Sequence, residues 1–175
     1  MERSLALDVA YLGVAEPGDG VAGTEFTQCV DVDTVTFNFS DAKELSFTSM
    51  GHEDTWAVVS RKGDPSSIEF TIPSPTSDEM KMFCGGTVSG DKWEAPLSTP
   101  SILKTIRLQS LPYQGKFTEY VFVKCSVFGK ISQAPDKENC DLLLVKATIM
   151  TPVSAAGKQA SPYSRAVKAV SEDTE

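Results

Sequence analysis

A chain of 175 residues, 41% of them hydrophobic, can bury one proper core, and a single domain is the natural expectation. Its net charge of −8 and pI near 4.7 argue against a sequence-reading nucleic-acid binder, which needs a basic face to neutralise phosphates. The sign is uneven, with 17 acids and 6 bases in residues 1–95 against 7 acids and 10 bases in residues 96–175. Copies of such a chain can meet head to tail, acidic surface on basic, if the fold keeps the two groups apart.

In chain order, residues 5–14 predict a strand with Val9 and Tyr11 on one side and Ala10, Leu12 and Val14 on the other. Glu16 to Gly23 is a loop by composition, and Thr27 to Val32 a short strand. Val35, Phe37 and Phe39 alternate with Thr34, Thr36 and Asn38, the period of a half-buried strand. Ser40 to Lys43 then turns the chain into Glu44–Thr48, where Leu45 and Phe47 alternate in the same way. Ser49 to Thr55 is polar and irregular, so residues 41–55 read as a long projecting hairpin or loop, a length that in a compact domain usually signals function or disorder.

Trp56 to Arg61 returns to strand, and a Gly63-Asp64-Pro65 turn leads into Ser67–Ile72, with Ile68, Phe70 and Ile72 on one face. A short helix over Ser77–Cys84 follows. Thr76 and Glu79 have capping-box spacing, with Ser77 a rival cap; Met80 and Phe83 share a face, and Gly85-Gly86 ends the helix. Thr87 to Pro100 reads as a loop anchored by Trp93. The Pro112–Gly115 turn makes Ile102–Leu111 and Phe117–Phe128 an antiparallel pair, and Cys140–Met150 closes the sheet. In these last two strands both faces are apolar: Tyr120 and Phe122 oppose Val121, Val123, Cys125 and Val127, while Leu142 and Leu144 oppose Leu143, Val145 and Ile149. Such strands need cover on two sides, from a helix, a second sheet or a neighbouring subunit. Thr151 to Glu175, rich in Ala, Ser, Lys and Pro, reads as a mobile arm that orders only when something holds it, most simply another copy of the chain.

Residues that could carry chemistry are sparse. His52, the single histidine, sits in a polar loop beside Glu53 and Asp54, without the nucleophile elbow or ligand spacing that a catalytic or metal site requires. Cys29, Cys84, Cys125 and Cys140 lack C-x-x-C spacing, so free thiols are expected rather than zinc or redox sites. Gly18-Asp19-Gly20 and Gly85-Gly86 lack the Lys-Ser/Thr of a phosphate loop. No catalytic, cofactor or metal residue is expected, and the chain reads as a non-enzyme. Met1 to Leu12 carries no basic start followed by an apolar run, and no segment has the roughly 20 apolar residues of a bilayer span, so synthesis in a cytoplasm is expected.

The order of parts resembles the tail tube proteins of tailed bacteriophages. The resemblance covers roughly residues 8–150: the strand Val35–Phe39, a long polar loop, a Trp-initiated strand, the Gly63-Asp64-Pro65 turn into Ser67–Ile72, the capped helix ending in Gly85-Gly86, a segment with Trp93, then two antiparallel strands. It implies a mainly β fold, an antiparallel β-sandwich or small barrel with one short flanking α-helix. It further implies stacked, hexameric rings that form an acidic-walled conduit for the genome in the virion tail. The partners would be copies of the chain, the tape measure and tail terminator proteins, and passing double-stranded DNA held without sequence-specific contacts. By position, Asp41, Lys43, Glu44, Met50, His52, Glu53 and Asp54 would belong to a ring-stacking loop, Tyr120, Phe122, Leu142 and Leu144 to subunit-interface strands, and the chain termini, with 154–175, to arms. Glu69 and Asp31 are candidates to face the lumen. A tail terminator or baseplate ring, and less closely a calycin-like carrier, share these features.

Overall fold

The computed structural model describes residues 5–29, 32–51 and 53–170. The fold is mainly β, with antiparallel sheets and one helix. Its elements are β1 (Val9–Ala15), β2 (Thr27–Gln28), β3 (Val35–Asn38), β4 (Lys43–Thr48), β5 (Thr55–Arg61), β6 (Ser67–Pro73), α1 (Ser77–Cys84), β7 (Thr87–Ser89), β8 (Lys92–Glu94), β9 (Ile102–Ser110), β10 (Lys116–Gln133), β11 (Leu142–Ile149) and β12 (Tyr163–Ala169). The main sheet has the order β2-β1-β9-β10-β11-β6-β3, with β12 also paired to β10.

The 18-residue strand β10 belongs to two halves of that sheet. Its first half, up to Phe122, lies between β9 and β12; its second half, from Cys125, pairs with β11. One extra residue separates the halves, because Phe122 pairs with Ile106 and Cys125 with Lys104. This β-bulge bends the strand and reverses its in-out alternation, so that both Phe122 and Cys125 are fully buried. Across the bend, β3 at the far end of the path packs back over the first half of β10. Phe37 lies 5.4 Å from Tyr120 and 5.7 Å from Phe122, ring to ring, and Phe39 lies 5.3 Å from Tyr163 of β12. The core between the halves is filled by Leu12, Ile106 and Phe122 from one and Ile68, Phe70, Leu143 and Val145 from the other.

The helix forms where its residues dictate. The Thr76 hydroxyl accepts from the Glu79 N–H, and the Glu79 carboxylate accepts from the Thr76 N–H at 2.8 Å. Gly85, at φ +75°, ends it and donates to the Lys81 carbonyl. Phe83, buried, meets Phe70 edge-on at 5.6 Å. The helix sits hard against β10 at Gly129, where a Cβ would stand 2.9 Å from Cys84 Sγ and 3.1 Å from Phe83 Cβ. The Thr87–Pro100 segment, expected as loop, holds the small hairpin β7–β8, and Trp93 does anchor it, donating from Nε1 to the Gly85 carbonyl at 2.8 Å.

The strands β4 and β5 pair with each other as a hairpin outside the main sheet. Two expectations are corrected. Residues 163–169 are not a free arm, since β12 runs antiparallel to Lys116–Phe122 of its own chain. Phe122 is not an intersubunit residue, being wholly buried in its own core, and Tyr120 is covered by Phe37 and by Arg165. Phe122 lost its place at the surface because the bend brings β3 over it.

β12 exposes every side chain, so few apolar contacts hold it. Besides the ladder it is fastened by Lys168, whose ammonium lies 2.5 Å from the Glu119 carboxylate. Glu119 also accepts from Gln109 Nε2 at 2.9 Å. Its burial opposes ionisation, but the hydrogen bonds of Lys168 and Gln109 and the charges of Lys168 and Arg107 outweigh this and hold its pKa below the ordinary value of 4.5. A lowered folded-state pKa contributes stability that is fully present above the ordinary value and is lost as pH falls through the folded one. Glu119→Gln should therefore cost about 1 kcal/mol at neutral pH, Lys168 being half exposed, and should flatten the acid limb of the stability curve in urea titrations. Phe122→Ala should cost about 3–5 kcal/mol, whereas Phe128→Ala, at a half-exposed ring, should stay within about 0.5 kcal/mol. Gly129→Ala should cost about 1–3 kcal/mol by displacing the helix.

Candidate assembly surface

The hairpin β4–β5 stands outside the main sheet. Every residue of β4 is exposed, and in β5 all but Ala57. Cross-strand pairing places Leu45 opposite Val59 and Phe47 opposite Ala57, an apolar face flanked by the Lys43–Arg61 pair. Phe47 and Trp56 stand 6.4 Å apart, ring to ring, with Trp56 71% exposed. Val58 and Val59 are exposed as well, and Met50 at the tip is wholly so. An isolated two-stranded ribbon is at best marginally stable in water, and contiguous apolar surface of this kind marks an interaction site.

The root of the hairpin is fixed. The Asp41 carbonyl packs against Gly63 so closely that no Cβ fits there. The Ser40 hydroxyl donates to the Asp64 carbonyl, and Lys43 Nζ lies 2.8 Å from the Asp64 carboxylate. Of the residues expected in a stacking loop, Asp41 and Lys43 therefore sit at the base and Glu44 on the exposed ribbon. Met50, Glu53 and Asp54 lie at or near the tip. His52 lies outside the described residues, as does Asp31. What the sequence reading missed is the apolar set Leu45, Phe47, Trp56, Val58 and Val59. Its alternation was visible, but pointed equally to a strand buried in the main sheet.

A second surface lies on the body. Helix α1, the 93–100 segment and the end of β10 enclose an open apolar groove of about 380 Å³ between Met80, Cys84, Trp93, Leu97, Phe128 and Ile131, with Lys130 on its lining. Leu97 is fully exposed there, and Phe128 and Ile131 more than half. Here β10 also has a free edge. β9 pairs with it only as far as Val127, and from Phe128 onward it is paired on the β11 side alone. Leu142 and Leu144, expected at an interface, are half-buried. Leu144 lies between Lys130 and Thr71 on the sheet.

No cluster of metal-binding side chains occurs among the described residues. Arg107 stacks between Tyr11 and Phe26, its guanidinium carbon 5.1 and 4.0 Å from the ring centres. In the main sheet Glu69 lies 3.5 Å from Lys146 and Glu119 pairs with Lys168. Glu44 on the ribbon and Glu53 and Asp54 near its tip are exposed. The cysteines are free; burial raises the Cys29 thiol to about 12, with the nearby Glu79 charge adding to it, and burial alone raises Cys125 to about 12. Neither is a nucleophile at neutral pH.

No known family model matches the chain, and no curated protein matches it significantly.

The thiols give a direct check on the fold around these surfaces. Exposed Cys140 should react first with a chromogenic disulfide at pH 8, half-buried Cys84 in the groove more slowly, and Cys29 and Cys125 only on unfolding. Four fast thiols would show that the core is open.

Proposed function

We propose that this protein is a structural subunit of a phage tail tube, polymerising as stacked, hexameric rings into a conduit for genome delivery. The observation that carries the reading is the β4–β5 ribbon, which projects apolar side chains its own body does not cover. A monomer exposes such surface at a cost in solubility, while a subunit of an open stack buries it against the next copy. The resemblance in the order of parts points the same way, and the ribbon occupies the place where that resemblance puts the ring-stacking loop. The acid surplus suits a conduit, because a negative wall keeps phosphates from sticking. The partners on this reading are copies of the chain, the tape measure and terminator proteins of the tail, and DNA in transit. The space between the sheet halves is filled by large side chains such as Phe70, Phe83 and Phe122, which disfavours a small-ligand carrier.

Concentrated pure protein should form rings or tubes in negative-stain images, with a matching high mass in light scattering. Replacing residues 43–61 by a short Gly-Ser link between Ala42 and Lys62 should leave the circular dichroism of the body intact, because Asp41 and Gly63 already touch. The same change should abolish tubes. Tubes of normal length from this variant would falsify the assignment of the hairpin to stacking.

A further inference from the structure

We infer that the groove between α1, the 93–100 segment and the free edge of β10 is the seat of the β4–β5 hairpin of a second copy of the chain. The inference rests on the tube reading and adds to it the receiving surface.

The two surfaces complete each other in three respects. The hairpin presents exposed Leu45, Phe47, Trp56 and Val59, and the groove presents exposed Leu97, Phe128 and Ile131, so each lacks the apolar cover the other supplies. Both hold unpaired strand edges, those of the ribbon and that of β10 beyond Val127. One strand of the hairpin added to the β10 edge would satisfy both sets of main-chain groups while its side chains enter the groove, the recognition mode in which ladder hydrogen bonds give affinity and pockets give specificity. The charges also match, since the hairpin end carries exposed Glu53 and Asp54 and the groove lining carries Lys130.

Their placement lets the contact repeat from copy to copy. The hairpin roots beside Ser67, which is level across the sheet with Thr148 and Ser126. Gly129 to Ile131 in the groove are level with Phe70 to Ile72, three to five positions further along the strands, or about 10–17 Å. Donor and acceptor are different surfaces at different levels of one subunit, so each copy can give its hairpin and receive another.

Two double variants at exposed positions test this: a donor variant, Phe47→Asp with Trp56→Asp, and an acceptor variant, Leu97→Asp with Phe128→Asp. Circular dichroism should match the wild type for both, and so should urea midpoints taken at a dilution where the wild type does not assemble. Neither should polymerise alone, and mixed in equal amounts they should give an assembly of twice the mass of either, because one intact hairpin then meets one intact groove and growth stops. If the acceptor variant grows tubes like the wild type while the donor variant does not, the hairpin seats elsewhere; the inference is overturned and the tube reading stands. A mixture no heavier than its parts overturns it as well. A wild type that stays a single copy at high concentration removes both.

Discussion

The bend in β10 is the constraint on which the other surfaces depend. An 18-residue strand that stayed in one flat sheet would leave one face of its aromatic and branched residues to solvent. One extra residue between Phe122 and Cys125 lets the two halves of the strand turn buried side chains toward the same core. The cluster of Phe37, Phe39, Tyr120, Phe122 and Tyr163 closes over the first half, each ring within about 6 Å of another as such pairs prefer. The second half is covered by α1, which Gly129 admits. Because β9 stops at Val127 on one side of the bend, the same geometry leaves the β10 edge bare beside the helix.

Much of this was legible in the residues, and the illegible parts have definite causes. The helix is legible to its ends, because the Thr76–Glu79 box and Gly85 act through contacts within one turn of chain. Strand periods are almost as legible, since alternation is local. Partnership is not local. Leu45 and Phe47 alternate whether β4 joins the main sheet or leaves it, and nothing within Ser40–Lys43 separates the two outcomes. Side-chain pattern likewise gave no warning of β12, because Tyr163–Ala169 is held through its backbone, through Lys168 on Glu119, and through Tyr163 and Arg165 on the aromatic cluster. A strand whose side chains are all exposed has no apolar face to read.

The candidate interface divided along the same line. Tyr120, Phe122, Leu142 and Leu144 belong to strands with two apolar faces, a pattern that shows a need for cover without showing its source. For Phe122 the source is intramolecular, through β3. The cover missing from the folded chain lies at positions the pattern did not select, Phe128, Ile131 and Leu97 on the body and Trp56 and Phe47 on the ribbon. Finding them required knowing where β9 ends relative to β10, a register fact fixed by pairing over the whole sheet.

On the tube reading the polarity of the molecule follows from these unsatisfied surfaces and not from net charge alone. A twofold pairing of hairpin with hairpin would cover the ribbon and leave the groove and the β10 edge open, and a pairing of groove with groove would do the reverse. A contact between unlike surfaces satisfies both, and on the tube reading it repeats from copy to copy instead of closing on a reciprocal pair. Charge then has a narrower part. In the main sheet Glu69 is matched by Lys146 and Glu119 by Lys168, while Glu44 on the ribbon and Glu53 and Asp54 near its tip are exposed, where they set the register of approach and keep free subunits apart through their common sign.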